Sequence, residues 1–294
     1  ACPFFRKGCF VQEARVKAAE AELVIINHSL LLAGSTMEKG VLPPLPYLVV
    51  DEAHHLSKVA EEQMTVSLSY HAILSIYHRL LGKRKENDIL LFLEQQVYLA
   101  NVQEDEVAEI KLLIQEVKDC LEDGKKELET FFSYLGAIFR PLVQQNAYAS
   151  VQFRWQPQLK EEAFWLETEI AIQNFIEVSQ KAIHSVEALQ KKIDKVEKLY
   201  HLSFNHVGEL DYFITNIHSI LIQIGNASAV VNQEEEQYTA WLDFLPNAYY
   251  PILYVAPLEI GHELCELLLS GRDGLVFTSA TLTIQDDFSY FFEN

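Results

Sequence analysis

The feature that most constrains the fold of this chain is a long central region in which apolar residues recur at the spacing of an α-helix. In VAEIKLLIQEVKDCLEDGKKELETFFSYL (107–135) the apolar residues fall every three or four positions, so that they form one stripe along a helix. Two further stretches, 164–202 and 210–225, show the same pattern. We therefore predict a large helical region from about residue 66 to about residue 240, with few strand signals.

Short apolar runs flank this region on both sides and predict strands. ELVII (22–26) and YLVV (47–50) precede it, and YPILYVAPL (250–258) and GLVFTSATL (274–282) follow it. Runs of this length without clear alternation are typical of strands buried in a parallel sheet. HLSKVAEEQ after the second run and EIGHELCELLL before the last run have helical patterns. The sequence thus predicts an α/β fold interrupted by an all-helical insertion, whose exit linker is NASAVVNQEEEQ (226–237).

The composition is that of a globular protein with a core, since 49% of the 294 residues are hydrophobic and 22% are charged. A net charge of −19 argues against a uniformly basic protein that coats nucleic acid, although a local basic path is compatible with it. No run approaches the ~20 apolar residues that span a bilayer, and the N-terminus lacks a signal-peptide pattern. We therefore expect a cytoplasmic protein without a membrane segment. We also expect a monomer.

Two carboxylates directly after an apolar run are the strongest chemical signal in the chain: in LVVDEAHHL (48–56) the run leads into Asp51 and Glu52. A site that hydrolyses a nucleotide needs one carboxylate to help hold the Mg²⁺ that bridges the phosphates. It needs a second to orient or deprotonate the attacking water. Adjacent residues at the carboxyl end of a strand can do both, because ligands bind at that edge of open α/β sheets. Asp51 fits the metal role and Glu52 the base role, and the alternative is a surface turn with this sequence by chance.

A second signal follows the last apolar run, where Ser279 and Thr281 place hydroxyl groups on either side of the small Ala280. Alone this signal is weak, because many strands end in serine or threonine. DEAH and SAT segments recur together, in this order, in superfamily-2 helicases. The pair is therefore more informative than either segment.

At these residues the chain resembles the DinG/XPD-type iron–sulfur helicases. The resemblance covers both flanking regions, through the segments CPFFRKGCF, AEAELVIINHSLLL, LVVDEAHHL, VAPLEIGHELCELLL and GLVFTSATL. The family also has a helical Arch domain inserted between its DEAH box and its SAT-like motif, which matches the position of residues 66–240.

The resemblance implies a DNA-unwinding motor of 5′–3′ polarity that uses ATP and Mg²⁺ and acts on single-stranded DNA. It implies that Asp51 binds Mg²⁺ through ATP and that Glu52 activates the water. The residues implied to couple hydrolysis to strand movement are His54, Ser279, Ala280 and Thr281. The implied order of domains is the end of an iron–sulfur region (1–20), the first part of a RecA-like motor domain with the DEAH box (21–65), an Arch-like insertion (66–240) and a return to the RecA-like domain with the SAT motif (241–294).

Two parts of such a motor have no counterpart in the sequence. No G-x-x-x-x-G-K-[ST] motif occurs, because Gly82 and Gly124, the glycines that precede a lysine, lack both the spacing and the following hydroxyl. We expect this phosphate-cradling loop to lie before Ala1, and the second motor domain with its arginine finger to lie beyond Asn294. The chain alone is therefore expected not to hydrolyse ATP.

The cysteines bear on a second cofactor. Cys2 and Cys9 match the last ligands of the family's [4Fe–4S] cluster, which needs four thiolates. Cys120 and Cys265 lie on apolar helical faces and are interpreted as core residues. With two nearby thiolates we do not expect an intact cluster in this chain, and free thiols are the alternative for Cys2 and Cys9.

Two short segments have the residue types that contact nucleic acid. The basic aromatic N-terminus combines stacking faces with cations, and its alternative is packing plus solvated charge. The polar pair between two apolar runs in VIINHSLLL matches a family segment near the DNA path, and its alternative is a structural cap. The residues predicted to contact DNA are Phe4, Phe5, Arg6, Lys7, Asn27 and His28.

Two other function classes are compatible with parts of the sequence. Two E-x-x-H spacings, which begin at Glu52 and Glu259, are those of di-iron carboxylate bundles. Such bundles need inward-facing helices and two further glutamates, and the first spacing directly follows a strand-like run, so the geometry disfavours this class. The main alternative is a non-catalytic helical module that binds DNA or protein.

Overall fold

The structure, a computed structural model, describes residues 8–36, 42–82, 88–99, 103–142, 150–233 and 237–281. The chain divides into two compact units: unit 1 comprises residues 1–66 and 256–294, and unit 2 comprises residues 67–255. The α-helices are α1 Phe10–Glu20, α2 His28–Thr36, α3 Leu56–Met64, α4 Tyr70–Leu81, α5 Ile89–Leu99, α6 Glu104–Phe139, α7 Trp165–Lys195, α8 Glu197–Asn232 and α9 Gly261–Leu269. The strands are β1 Tyr47–Val50, β2 Val66–Ser69, β3 Val151–Trp155, β4 Tyr238–Phe244, β5 Ile252–Pro257 and β6 Gly274–Phe277.

Unit 1 is built on a parallel pair of strands, β1 and β6, in which Val50 lies opposite Phe277. One face of this pair packs on a small core, to which α2, α3 and α9 contribute buried leucines such as Leu31, Leu56 and Leu264. The other face is apolar but exposed: its side chains are Tyr47, Val49 and Val276, with exposed fractions of 73%, 66% and 53%. The predicted strands at 47–50 and 274–282 are therefore present and paired with each other.

The strand predicted over 22–26 is wrong. Residues 21–27 lie outside any helix or strand, and Leu23 and Ile25 are 77% and 88% exposed. An apolar run forms a strand only where a neighbouring strand satisfies its backbone groups, and within the described residues this run has no such neighbour.

Unit 2 is a bundle of long helices with a four-stranded sheet. Helix α6 packs along α7, α7 along α8, and α4 and α5 against both α6 and α8. The strands lie in the order β2-β5-β4-β3, and β3 and β4 are antiparallel. The largest side chains of this core are fully buried aromatic residues: Tyr77, Phe131, Phe132, Phe139, Trp155, Phe175 and Phe213.

The structure confirms a large helical part beside a partial α/β part, but it corrects the prediction in three places. The insertion is not all-helical, because β2 and β3 lie within 66–240 and β4 begins there. The strand predicted at 250–258 forms, but as β5 of the sheet in unit 2. The segment 226–237, predicted as an exit linker, is helical as far as Asn232. The short strands β2, β3 and β4 were not predicted because the sequence around them is dominated by the strong periodicity of the long helices.

Among the described residues, one helical segment, His206–Asn232, is long and apolar enough by length and composition to cross a membrane. Its buried residues, among them Leu210, Phe213 and Ile217, belong to a helix that packs against α4, α5 and α7. This is the packing of a core helix.

Helices α4 and α6 approach each other closely at Tyr77 and Gly124, and this contact gives a stability prediction. A Cβ atom added to Gly124 would lie 2.6 Å from Cε1 of the fully buried Tyr77, whose hydroxyl is 3.1 Å from Ser179 Oγ. We expect Gly124→Ala to lower the free energy of unfolding by about 1–3 kcal/mol, the usual effect of overpacking. Denaturant unfolding followed by circular dichroism measures it.

Gly225 provides the matched control, because it lies in α8 and a Cβ atom there would meet nothing within 4 Å. Gly225→Ala should raise the free energy of unfolding by roughly 0.5–1 kcal/mol through helix propensity alone. Equal effects of the two substitutions would contradict the close packing of Gly124 on Tyr77.

A half-buried histidine is expected to make the stability of unit 2 depend on pH. The ring of His206 stacks on Phe92 at a centroid distance of 3.9 Å, and its Nδ1 is buried without a hydrogen-bond partner among the described residues. Burial lowers the pKa of His206, against the opposing charge of Glu209. The unfolded chain then binds more protons than the folded one, so stability should fall as the pH drops below the unfolded-state value of about 6.5.

We expect His206→Phe, which keeps a ring against Phe92, to lose less stability than the wild type between pH 7.5 and pH 5.5. The measurement is the urea midpoint at both pH values. His218→Phe, at an exposed position of the same helix, is the control and should keep the wild-type dependence on pH. The idea fails if the two variants lose stability equally on acidification.

Candidate functional site

The candidate site begins where β1 ends. Asp51 directly follows Val50, and Glu52 adopts a left-handed backbone conformation with φ 51° and ψ 43°. Residues Ala53–His55 then form a 3₁₀ turn that leads into α3. The two carboxylates are exposed and lie at the carboxyl end of a parallel strand pair, which is the edge where ligands bind in open α/β sheets.

Thr278, the residue after β6, joins the end of that strand to this turn. Its N–H donates to the carbonyl of Val50 at 2.8 Å, and its own carbonyl accepts from the N–H of Ala53 at 3.0 Å. Its hydroxyl donates to Oδ1 of Asp51 at 2.7 Å. No sequence pattern selected Thr278, although it is a hydroxyl residue at the end of an apolar run, immediately before the predicted Ser279.

The same carboxylate oxygen of Asp51 accepts a second hydrogen bond, from the N–H of Glu52 at 3.0 Å. The hydroxyl of Thr278, and after it this N–H group, lowers the pKa of Asp51. Asp51 is therefore ionised at neutral pH. Both bonds end on Oδ1, and no described residue bonds to the second oxygen, Oδ2. Oδ2 is therefore available for a ligand.

The DEAH and SAT segments meet at His54. Its Nδ1 lies 2.7 Å from Oγ of Ser279 and 3.3 Å from Oε2 of Glu52. Ser279 in turn accepts a hydrogen bond from the N–H of Thr281 at 3.2 Å, and Ala280 between them is exposed. The structure thus brings together the residues that the sequence analysis singled out in both segments.

The two polar residues before α2 do not have the same surroundings. Asn27 caps α2, since its Oδ1 accepts from the N–H of Leu30 at 2.8 Å and its carbonyl accepts from Leu31 at 3.1 Å. His28 donates through Nε2 to the carbonyl of Asp51 at 2.9 Å. Asn27 therefore has the structural role that was the alternative, and His28 is a neighbour of the carboxylates that sequence reasoning did not foresee. Contact of either residue with DNA stays a prediction.

Several predicted residues lie outside the described part of the chain: Cys2, Phe4, Phe5, Arg6 and Lys7. Cys9 is half-buried at the start of α1, with a free thiol. Among the described residues no group of three or more His, Cys, Asp or Glu side chains could hold a metal ion. These residues therefore do not fit an iron–sulfur cluster, which needs four thiolates, nor a di-iron site.

Asp51 and Glu52 do fit a Mg²⁺ ion that arrives with a nucleotide. Mg²⁺ is usually bound by one or two carboxylates together with phosphate oxygens and water, so a large group of protein ligands is not needed. Asp51 provides an exposed, ionised carboxylate whose other oxygen is already fixed by two donors. Glu52 lies next to it with an exposed side chain.

No protein-family model matches the chain. It is 22% identical over 289 residues to the 3′-5′ exonuclease DinG of Bacillus subtilis, a match that covers 97% of this chain and 30% of that protein. It is 23% identical over 296 residues to the ATP-dependent DNA helicase DinG of Photobacterium profundum, over 97% of this chain and 39% of that protein. It is 24% identical over 294 residues to the ATP-dependent DNA helicase YoaA of Haemophilus influenzae, over 99% of this chain and 37% of that protein.

The chain is a distant relative of the DinG/YoaA helicases. The matches cover nearly the whole chain, the helical unit 2 included, whereas the motifs that carry the family resemblance lie in the two flanking regions. The chain spans about a third of the length of these DinG/YoaA relatives, 30–39%.

The backbone at Glu52 gives a stability prediction for the site. A left-handed conformation costs a non-glycine residue roughly 1–2 kcal/mol, and replacement by glycine removes this cost. The gain is reduced by about 0.4–1 kcal/mol, because glycine has more chain entropy in the unfolded state. We expect Glu52→Gly to stabilise unit 1 by about 0.5–1 kcal/mol. Amide hydrogen exchange in α2 and α3 measures this unit alone.

The control for this prediction is Glu62→Gly, within the right-handed helix α3, which should destabilise by about 1 kcal/mol. If Glu52→Gly also destabilises unit 1, the backbone of Glu52 is not strained in the way its positive φ indicates.

Proposed function

We propose that the chain is part of an ATP-dependent DNA helicase of the DinG type, with 5′–3′ polarity, and that Asp51 and Glu52 serve the hydrolysis of Mg²⁺–ATP. The observation that supports this best is the junction at the ends of β1 and β6, where Thr278 bonds to Asp51 and His54 lies 2.7 Å from Ser279. Two motifs that are far apart in the sequence share one edge of a parallel sheet, as a nucleotide site requires.

The roles follow from the environment of each side chain. Asp51 would hold Mg²⁺ through its second oxygen, and the ion when bound would supply positive charge against the phosphate charge that develops during transfer. Glu52, one residue further along the turn, accepts a proton from the attacking water or orients it. His54 contacts both Glu52 and Ser279, so a change at the carboxylates can be passed to the SAT segment that follows β6.

We further propose that β1 and β6 belong to a larger, RecA-like parallel sheet. Parallel sheets are normally covered on both faces, yet Tyr47, Val49 and Val276 leave one face of this pair apolar and exposed. The sequence contains no phosphate-cradling loop, so the chain by itself is proposed to be inactive. Unit 2 corresponds in this proposal to the Arch-like insertion.

Single-stranded DNA is the proposed partner and the cytoplasm the proposed location, with a monomer as the working state. Phe4, Phe5, Arg6 and Lys7 remain predicted DNA contacts. The Bacillus subtilis relative is named as an exonuclease, and this chain matches 30% of that protein; nuclease activity is not part of this proposal. The alternative proposal is a DNA-binding module without catalysis, and it applies if the experiment below does not support hydrolysis at Glu52.

The experiment is Glu52→Gln in the complete gene product that contains this chain. We expect the DNA-stimulated ATPase rate to fall by about 10²-fold or more, because the amide can neither accept the proton nor orient the water through an anionic oxygen. Binding of a fluorescent ATP analogue in Mg²⁺ should stay near wild type. Glu62→Gln, on α3, is the control and should leave both measurements unchanged. Retained hydrolysis in Glu52→Gln would remove Glu52 from the proposed reaction.

A further inference from the structure

We propose that Thr278 is a positioning residue for Asp51: its hydroxyl fixes the carboxylate so that one oxygen is occupied and the other is presented to Mg²⁺–nucleotide. This inference rests on the proposed function, since it assigns a second residue to the same site. It concerns the residue before the SAT segment, which none of the sequence patterns selected.

The backbone of Thr278 forms two hydrogen bonds, one to the residue before the two carboxylates and one to the residue after them. Its N–H bonds to Val50, the residue before Asp51, and its carbonyl bonds to Ala53, the residue after Glu52. The Cα of Thr278 is therefore fixed opposite the turn by two bonds. Because a β-branched side chain has restricted χ1 rotation, the direction of the hydroxyl is also limited, and little entropy is lost when it bonds to Asp51.

The carboxylate of Asp51 is fixed by two hydrogen-bond donors. The hydroxyl of Thr278 and the N–H of Glu52 both donate to Oδ1, at 2.7 Å and 3.0 Å. Two donors on one oxygen define the rotation of the carboxylate and leave Oδ2 for a ligand. Hydrogen bonds of this kind to metal-binding carboxylates typically account for about 10–100-fold in metal affinity or activity.

The main chain of Asp51 is held independently of Thr278's hydroxyl. His28 donates from Nε2 to the Asp51 carbonyl at 2.9 Å, and this bond comes from the start of α2. Removing only the hydroxyl at 278 should therefore free the rotation of the carboxylate while the turn stays in place. The expected defect is in the use of Mg²⁺.

The test compares Thr278→Val, which keeps the shape and removes the donor, with Thr278→Ser, which keeps the donor. In the complete gene product we expect Thr278→Val to raise the Mg²⁺ concentration for half-maximal ATPase by about 10-fold, and Thr278→Ser to restore it to within about 2-fold. The second readout is the affinity for a fluorescent ATP analogue in Mg²⁺ and in EDTA. Thr278→Val should weaken binding in Mg²⁺ and leave binding in EDTA unchanged.

Two further variants make the outcome unambiguous. Thr65→Val removes a threonine hydroxyl that bonds to the carbonyl of Glu61, at the end of α3, and should behave as wild type. Asp51→Asn tests the site itself. If Asp51→Asn leaves Mg²⁺-dependent nucleotide binding intact, the proposed function is wrong. If Asp51→Asn abolishes this binding but Thr278→Val keeps the wild-type Mg²⁺ dependence, only the positioning role is wrong.

A loss of binding in Mg²⁺ and EDTA alike would also overturn the inference, because it would show that Thr278 merely supports the fold. Circular dichroism decides whether Thr278→Val is folded. If it is not, Thr278→Ala replaces it, since alanine removes the donor without placing a second methyl group at the site. The same two readouts then apply to Thr278→Ala.

Discussion

The parallel pairing of β1 with β6 is the interaction on which the site depends, because it joins residues that are 227 positions apart in the sequence. Closing a loop of this length costs chain entropy, although the cost grows only slowly with length. The intervening region reduces that cost by its own fold, since β2 at its start and β5 at its end are neighbouring strands in one sheet. A compact insertion can therefore separate the two motifs in sequence while their strands remain paired.

A parallel pair of two strands is marginal on its own, and here its stability comes from one face. Val50 and the leucines of α2, α3 and α9 form the core beneath it, while Tyr47, Val49 and Val276 above it are exposed. The position of the carboxylates relative to Thr278 is thus determined by packing on one side of the sheet and by the ladder itself.

The position of the candidate residues was more predictable from the sequence than their surroundings, and their chemical roles stay predictions. Asp51 and Glu52 could be selected because ligands bind at strand ends and carboxylates suit Mg²⁺. Ser279 could be selected because DEAH and SAT segments recur together. Helices α6 and α9 followed from periodicity. The run at 22–26 misled, because whether an apolar run becomes a strand depends on a neighbour that is distant in sequence. Thr278 was missed, and His28 was selected for contact with DNA and not for its bond to Asp51. The reason is related: both residues bond to Asp51 only once the folded chain brings them within reach.

The left-handed backbone at Glu52 explains how two adjacent residues can serve one site. In a straight strand successive side chains point to opposite faces, so the second of two neighbouring carboxylates would face away from the first. At the end of β1 this alternation stops, because Glu52 has φ 51°. Asp51 then contacts Thr278, and Glu52 contacts His54, which lies beside Ser279. Both carboxylates are thereby directed to the end of β6, and the strained backbone is the local cost of bringing them to the same edge.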